Sequence, residues 1–246
     1  MKQILWILAL IALLAAGCVQ SQTKTAAKAV KWSVKMADSV MMCAPNPQDV
    51  LPVRMEDGAV SLQGQWKFKY LPSSDIGGDD TFYQPAFDVS SWKTIPVPGH
   101  WELHGFAQPK YKKVDEGTGL YRHTFRIPVA WQGQRVFLRF DGVLYGLTAW
   151  VNGKEIGQWA SSYNPVTFDI TDTLLSGDAD NILAVRVTTR CKGWEFDTND
   201  CWALSGIYRE VTLFAVPATY LKDYTARTTL AADGSAQLFI DVQASA

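Results

Sequence analysis

Between residues 60 and 217 the chain repeatedly places apolar side chains at every second position. Val136, Leu138 and Phe140 follow this pattern, and so do the apolar residues of 181–188. A period of two puts alternate side chains on one face, as in a strand that packs against a core. Turn-forming residues interrupt the pattern at short intervals, which favours strands over helices. We predict eight strands, at 65–71, 94–97, 120–127, 135–140, 147–151, 165–169, 181–188 and 209–216.

Asn152-Gly153 is the strongest turn signal, because both residues accept the positive φ angles of a two-residue hairpin. Eight short strands, no long helix and connections of variable length predict an all-β chain with two packed sheets, arranged as a jelly roll over 60–217. Beyond Pro217, two more alternating segments flank Asp233-Gly234. Two strands cannot close a sandwich. We therefore expect 218–246 to be the truncated start of a further domain.

The chain begins with a different pattern. Lys2 precedes an apolar run from Ile4 to Ala16, which is short for a membrane span and ends in small residues before Cys18. This is the pattern of an export signal at 1–17. Polar residues then predict a tether over 18–59, with a short helix at 31–42.

Composition and charge narrow the function. The 246 residues are 48% hydrophobic and carry 23 basic against 24 acidic side chains, with no long block of either sign. This balance argues against binding to nucleic acid. No CxxC pair or histidine cluster suggests a structural metal. In an oxidising compartment Cys191 and Cys201 either form a disulfide across the loop they bracket or pack as separate thiols.

The segment 192–202 combines carboxylates and aromatic rings between two strands, where β scaffolds often carry binding sites. Its acidic residues, Glu195, Asp197 and Asp200, either bind a ligand or only solvate an exposed connection. The pattern predicts that Trp202, at the end of this segment, is buried.

Several motifs carry a family resemblance, in the order 61–68, 87–103, 140–143, 150–154 and 202–211. Together they resemble the N-terminal sugar-binding domain of family 2 glycoside hydrolases and are most similar to the β-galactosidases. The resemblance implies a galactose-binding-like jelly roll, followed by an immunoglobulin-like domain to which 218–246 would belong, and a catalytic barrel. Residues 14–18 resemble the lipobox of bacterial lipoproteins, which implies lipidation of Cys18 and anchoring to the cell envelope. Residues 31–42 also resemble the first helix of unsaturated uronyl hydrolases.

The family hydrolyses terminal β-glycosides with retention, using two glutamates of its barrel. The resemblance therefore implies an enzyme. These 246 residues would contain none of its catalytic residues and would be inactive alone. The jelly roll would form a wall beside the terminal sugar through 97–105 and 192–202. The alternative is a non-catalytic lipoprotein that binds carbohydrate.

Particular residues follow from this resemblance. His100 stands where the β-galactosidases commonly have a sugar-binding asparagine, and Trp101 either stacks on a sugar or belongs to the core. Glu195, Asp197 and Asp200 are sugar-binding candidates, although Asp197 and Asp200 would equally cap the turn or pair with Lys192 or Arg209.

The chain also departs from the family pattern. Lys192 stands where the β-galactosidases have an aspartate that binds sugar and sodium, so the resemblance implies neither the sodium site nor strict β-galactosidase specificity. We expect no cofactor in this chain, although family members use Mg or Na in domains absent here. The segment after 108–111 is short where β-galactosidases have a long proline-rich one, so the resemblance implies no particular oligomer.

Overall fold

A computed structural model describes residues 58–245. The predicted signal at 1–17, the tether, its helix and Cys18 lie outside the described residues. Short 3-10 helices occur at Gly77–Asp79, Val129–Trp131, Thr171–Thr173 and Trp194–Thr198. The strands are β1 (Ala59–Ser61), β2 (Gly64–Leu71), β3 (Lys93–Val97), β4 (Lys110–Tyr111), β5 (Thr118–Phe125), β6 (Arg135–Phe140), β7 (Val143–Leu144), β8 (Gly146–Val151), β9 (Lys154–Trp159), β10 (Val166–Asp169), β11 (Asn181–Thr188), β12 (Trp202–Ala203), β13 (Gly206–Ile207), β14 (Val211–Val216), β15 (Leu221–Leu230) and β16 (Ala236–Ala244).

Two antiparallel sheets form the jelly roll that the alternation predicted. One has the strand order β1-β14-β6-β10 and the other β3-β2-β5-β11-β8-β9. Their facing sides bury the alternating residues of β6 together with those of β11, such as Leu183 and Val185. The apolar period of two therefore determined which face of each strand points inward.

A second apolar layer covers the outer face of the six-stranded sheet. Phe82 and Trp92, from the connection between β2 and β3, pack on Leu120 and Trp150. Arg122 donates hydrogen bonds to the backbone carbonyls of Phe82 and Gln84. Because both faces of β5 are covered, most of its residues are buried, polar ones included.

The hairpin at Asn152-Gly153 is confirmed. Val151 pairs with Lys154, and the two turn residues have φ angles of 52° and 83°. The Asn152 amide also donates hydrogen bonds of 2.8 Å to the Thr173 carbonyl and to the Asn181 side chain. This asparagine thus forms the turn and ties it to the neighbouring connection.

The eight predicted strands did not include β1, the two-residue strands or β9, although the hairpin at Asn152-Gly153 implied a strand after Gly153. In β9, Gly157 has a φ of 149°, and a Cβ there would lie 2.5 Å from the Phe168 ring. A glycine required by this close approach interrupts the apolar alternation. The two-residue strands are too short to show a period at all.

β15 and β16 form the hairpin expected after Pro217. Tyr224 pairs with Val242 and Ala226 with Ile240, so one face of the hairpin is apolar, and Leu238 belongs to the same face. These side chains are exposed. The assignment of the hairpin to an immunoglobulin-like domain stays a prediction. Among residues 58–245, no helix has the length and apolar character needed to cross a membrane.

Candidate functional site

The segments 97–105 and 192–202 are brought together at one end of the sandwich by the chain that follows β12. The Gly99 amide donates a hydrogen bond of 2.7 Å to the carbonyl of Ile207, and the Trp101 amide donates one of 3.1 Å to the carbonyl of Ser205. These backbone contacts hold the first segment against residues 205–207, immediately after the second. The two predicted segments are therefore joined through residues 205–207.

Glu102 strengthens this connection through its side chain. Its carboxylate accepts a hydrogen bond of 2.8 Å from the Ser205 amide, and the residue is only 8% exposed. Burial raises the pKa of Glu102, while the hydrogen bonds from Ser205 act in the opposite direction. Sequence reasoning missed Glu102, because a glutamate in a connecting loop is usually solvated.

A second connection links 192–202 to the short loop before β5. Strand β4 pairs with β12, so Tyr111 lies opposite Trp202. Asp200 Oδ1 is 2.6 Å from Lys112 Nζ and accepts a hydrogen bond of 2.7 Å from the Tyr111 hydroxyl. Lys112 first, and then Tyr111, lower the pKa of this carboxylate. Pairing with Lys192 or Arg209 was one alternative for Asp200, and the structure instead pairs it with Lys112, which the β4–β12 pairing places beside it.

An open hollow of about 430 Å³ lies between these elements. The 3-10 helix Trp194–Thr198 follows Gly193, whose φ of 85° reverses the chain, and it directs Phe196 into solvent with 89% of its surface exposed. The hollow thus combines carboxylates, an amide, a hydroxyl and an aromatic ring. It is lined by Lys112, Glu195, Phe196, Thr198, Asn199 and Asp200.

Asp197 faces away from the hollow. Its Oδ2 accepts a hydrogen bond of 3.2 Å from the Ser162 amide, and its backbone carbonyl accepts one of 3.0 Å from the Tyr163 hydroxyl. These contacts attach the 3-10 helix to the connection between β9 and β10. Of the three predicted carboxylates, the structure therefore brings Glu195 and Asp200 together and gives Asp197 an anchoring contact.

His100 is half-buried, and its ring stacks on Tyr208 with centroids 5.4 Å apart. Its Nδ1 is buried and has no hydrogen-bond partner within the described part of the chain. Burial lowers the pKa of His100, so the neutral imidazole is favoured. Tyr208 donates a hydrogen bond of 3.0 Å to the Ser162 carbonyl. His100 therefore lies near the Asp197 anchor and is not among the residues that line the hollow.

The two tryptophans of the site have opposite environments. Trp101 is 1% exposed and packs among core rings, with its centroid 5.5 Å from that of Tyr70. A Cβ on Gly119 would lie 2.5 Å from its ring, so no sugar can reach that face. This corrects the sugar-stacking alternative for Trp101 and agrees with the core alternative. Trp202, predicted to be buried, is 58% exposed, and it lies on the two-residue strand β12, which pairs with β4 alone among the described strands.

Both cysteines of the loop are free thiols, so the structure has the separately packed arrangement and not the disulfide. Cys201 Sγ lies 3.8 Å from the Asp197 carbonyl, which it meets as a weak donor. Burial raises the pKa of Cys191, with smaller contributions from Asp197 and Glu195. Over 58–245, no group of three or more His, Cys, Asp or Glu side chains is arranged to hold a metal ion.

Comparison with known proteins identifies the organised region. The family described as glycosyl hydrolases family 2, sugar binding domain, matches residues 59–217. A β-galactosidase of Priestia megaterium is 31% identical over 188 residues, covering 69% of this chain and 18% of that protein. A β-galactosidase of Vibrio vulnificus is 36% identical over 180 residues, covering 66% and 17% respectively. The chain therefore spans less than a fifth of the length of these two relatives.

Solved structures share the fold. A calcium binding mutant of Bacteroides uniformis β-glucuronidase 2 superposes with a TM-score of 0.60 at 28% identity, covering 76% of this chain and 22% of that one. Lactobacillus rhamnosus β-glucuronidase gives a TM-score of 0.59 at 25% identity, covering 79% and 35%. The sequence relatives and the structural neighbours thus carry the names of two different glycosidases.

Proposed function

Since the chain belongs to glycoside hydrolase family 2 through a sugar-binding domain at residues 59–217, we propose that this domain forms one wall of the substrate site of a retaining β-glycosidase. The observation that carries the proposal is that 97–105 is hydrogen-bonded to residues 205–207, which closely follow 192–202 in the chain. Loops at one end of a rigid β scaffold are where such domains present their binding groups. Glu195 and Asp200, which line the hollow, would accept hydrogen bonds from sugar hydroxyls. His100 Nδ1 is buried and would not reach the sugar.

The catalytic groups would lie elsewhere in the protein. Retaining hydrolysis uses two carboxyl groups about 5 to 5.5 Å apart, one as nucleophile and one as acid and base. We assign them to a barrel outside the sugar-binding domain, as the family resemblance implies. The 246-residue chain alone would then bind sugar without hydrolysing it. Support comes from the relatives, of which this chain covers only 17 or 18%.

A β-galactoside is the substrate class that we favour. The support is the similarity to β-galactosidases, which match at 31 to 36% identity over about two thirds of the chain. Lys192, at the register of the family's sodium-binding aspartate, is exposed and cannot bind a cation. The proposed galactoside would therefore be bound without the sodium ion at that position.

The test is the full-length product of the gene on aryl β-galactosides, β-glucuronides and β-glucosides, beside the 246-residue chain. We expect the full-length product to turn over the galactoside fastest and the 246-residue chain to turn over none of them. Turnover by the 246-residue chain would contradict the assignment of the catalytic groups. A full-length product inactive on every glycoside would instead favour a carbohydrate-binding lipoprotein.

We further propose that Cys18 is lipidated and holds the protein at the cell envelope, with 218–246 opening an immunoglobulin-like domain. Support for the anchor is the sequence pattern of 1–18, since acyl chains bind membranes without a spanning helix. Metabolic labelling with a fatty-acid analogue should mark the wild-type protein, while Cys18→Ala should lose the label and leave the membrane fraction. Equal labelling of both proteins would exclude lipidation at Cys18.

A further inference from the structure

We infer that the hollow lined by Glu195, Phe196 and Asp200 binds a neutral sugar residue that follows the terminal sugar of an oligosaccharide. Phe196, which lines the hollow, would provide one ring face for it, and Trp202, which lies opposite Tyr111 beside the hollow, would provide another. This inference rests on the proposed function, in which the same end of the sandwich meets the terminal sugar. It adds a second sugar position, the residues that form it and the class of saccharide it accepts.

The first support is a group of aromatic rings in solvent. Phe196 is 89% exposed, Trp202 58% and Tyr111 52%. Tyr111 and Trp202 contact each other edge to face, with centroids 5.9 Å apart, and the Tyr111 hydroxyl bonds to Asp200 at the rim of the hollow. Large rings that remain exposed together mark an interaction surface. An amphipathic aromatic ring suits the C–H face of a pyranose.

The second support is the set of polar groups between the rings. Lys112 and Tyr111 both bind Oδ1 of Asp200, and among the described residues Oδ2 has no hydrogen bond or ion pair. The carboxylate of Glu195 likewise has no hydrogen bond or ion pair within 58–245, and the Asn199 amide adds donors to the same hollow. Carboxylate oxygens accept hydrogen bonds from sugar hydroxyls, and an amide both donates and accepts.

The charge of the hollow selects the class of saccharide. Lys112 is the cation among its lining residues, and its ammonium is already paired with Asp200 at 2.6 Å. Glu195 therefore leaves an uncompensated negative charge. A uronic acid placed here would meet a like charge, which opposes binding, whereas a neutral sugar would not. The hollow thus favours the galactoside class over glucuronides at this position.

The backbone fixes the hollow before any ligand binds. Lys112 and Asp200 adopt left-handed conformations, with φ angles of 58° and 55°, which residues other than glycine seldom do. The Lys112 amide donates a hydrogen bond of 3.0 Å to the Cys201 carbonyl and so joins the two segments. Strained backbone held by its surroundings is frequent at binding sites, where it preorganises the groups that contact a ligand.

The binding test measures the affinity of the 246-residue chain for two tetrasaccharides by isothermal titration calorimetry. The neutral ligand is β-1,4-galactotetraose. The acidic ligand is a hyaluronan tetrasaccharide, with its carboxyl-reduced form as the matched neutral control. We expect galactotetraose to bind at least about tenfold more tightly than galactose, and F196A or W202A each to weaken it about tenfold. Carboxyl reduction should strengthen hyaluronan binding, and Glu195→Gln should narrow that difference.

The control variant is Tyr224→Ala, which removes a ring that is 63% exposed on the β15–β16 hairpin, outside the matched domain. It should leave galactotetraose affinity unchanged. Unfolding midpoints of all variants show whether a loss of binding reflects a loss of folding. Galactotetraose affinity that is unaffected by F196A and W202A, or no binding of galactotetraose at all, would overturn the inference.

The full-length product separates this inference from the proposed function. If the hollow binds a second sugar, Phe196→Ala should raise KM for galactotetraose about tenfold and leave KM for an aryl β-galactoside unchanged. An active full-length product in which the two KM values respond alike would overturn the hollow and leave the proposed function intact. An inactive full-length product that still binds galactotetraose tightly through Phe196 would overturn the proposed function and leave the binding of sugar by the hollow intact.

Discussion

Replacing Trp101 by alanine should strongly destabilise the 246-residue chain, whereas the same replacement at Trp202 should have little effect on folding. The two tryptophans lie in the two segments of the candidate site, but Trp101 is 1% exposed and Trp202 is 58% exposed. A buried aromatic side chain removes roughly 200 Å² from water, and about 25 cal/mol per Å² gives about 5 kcal/mol. Because the extended reference chain overstates burial, we expect Trp101→Ala to cost about 3 to 5 kcal/mol.

For Trp202 less than half of the surface is buried, which leaves at most about 2 kcal/mol by the same reasoning. We expect about 1 kcal/mol, because its edge-to-face contact with Tyr111 is itself partly solvated. Urea titration followed by circular dichroism gives both free energies of unfolding. In thermal unfolding each kcal/mol corresponds to roughly 2 to 4 °C for a chain of this size, so Trp101→Ala should lower Tm by about 6 to 20 °C.

Trp101→Phe serves as the matched variant, since it keeps a ring in the core and should lose roughly half as much stability as the alanine variant. Equal destabilisation by Trp101→Ala and Trp202→Ala would refute the separation of a core tryptophan from a surface one. So would a Trp101 variant that kept full stability and lost only sugar binding.

Three further outcomes are expected. Gly206→Ala should lower the free energy of unfolding by more than about 2 kcal/mol, because the φ of Gly206 is 117° and the new Cβ would lie 2.8 Å from the Gly99 carbonyl oxygen. A variant as stable as the wild type in urea titration would contradict this. Native Cys191 should react with iodoacetamide more slowly at pH 7.5 than in the unfolded chain, because burial raises its thiol pKa. After unfolding without reductant, peptide mapping should find Cys191 and Cys201 alkylated and not joined in a disulfide. Burial lowers the pKa of His100 and His123 below their unfolded value of about 6.5. The free energy of unfolding should therefore be highest above about pH 6.5 and should fall as the pH drops through the lowered pKa values. A free energy of unfolding that stays constant between pH 7 and pH 5 would count against their burial.

Much of the fold was predictable because alternation reports a buried face directly. The strands at 135–140 and 181–188 have the predicted bounds, and the Asn152-Gly153 hairpin is present. The extent of β9 was not predicted because Gly157 is required by its close approach to the Phe168 ring, which belongs to another strand. Local pattern cannot report such a contact, since nothing near the glycine in the chain requires it.

The candidate site was predictable as a place but only partly as a set of contacts. The segment 192–202 was identified from its carboxylates and rings, and Glu195 and Asp200 do share the hollow. Which way each residue faces depends on its neighbours in space: Asp197 turns to Ser162, and Trp202 pairs only with the short strand β4. Glu102 was missed for the same reason, because its burial comes from Ser205, about a hundred residues away.

The sequence by itself determined the all-β class, the inward face of the main strands, the position of the hairpin and the family. These depend on periods and turn residues that are local to each segment. Only the tertiary structure decided that Trp101 is core and Trp202 is surface, that Asp200 pairs with Lys112, and that the two cysteines stay apart. Burial and pairing depend on which strands meet, and strand order is settled by packing of the whole sandwich.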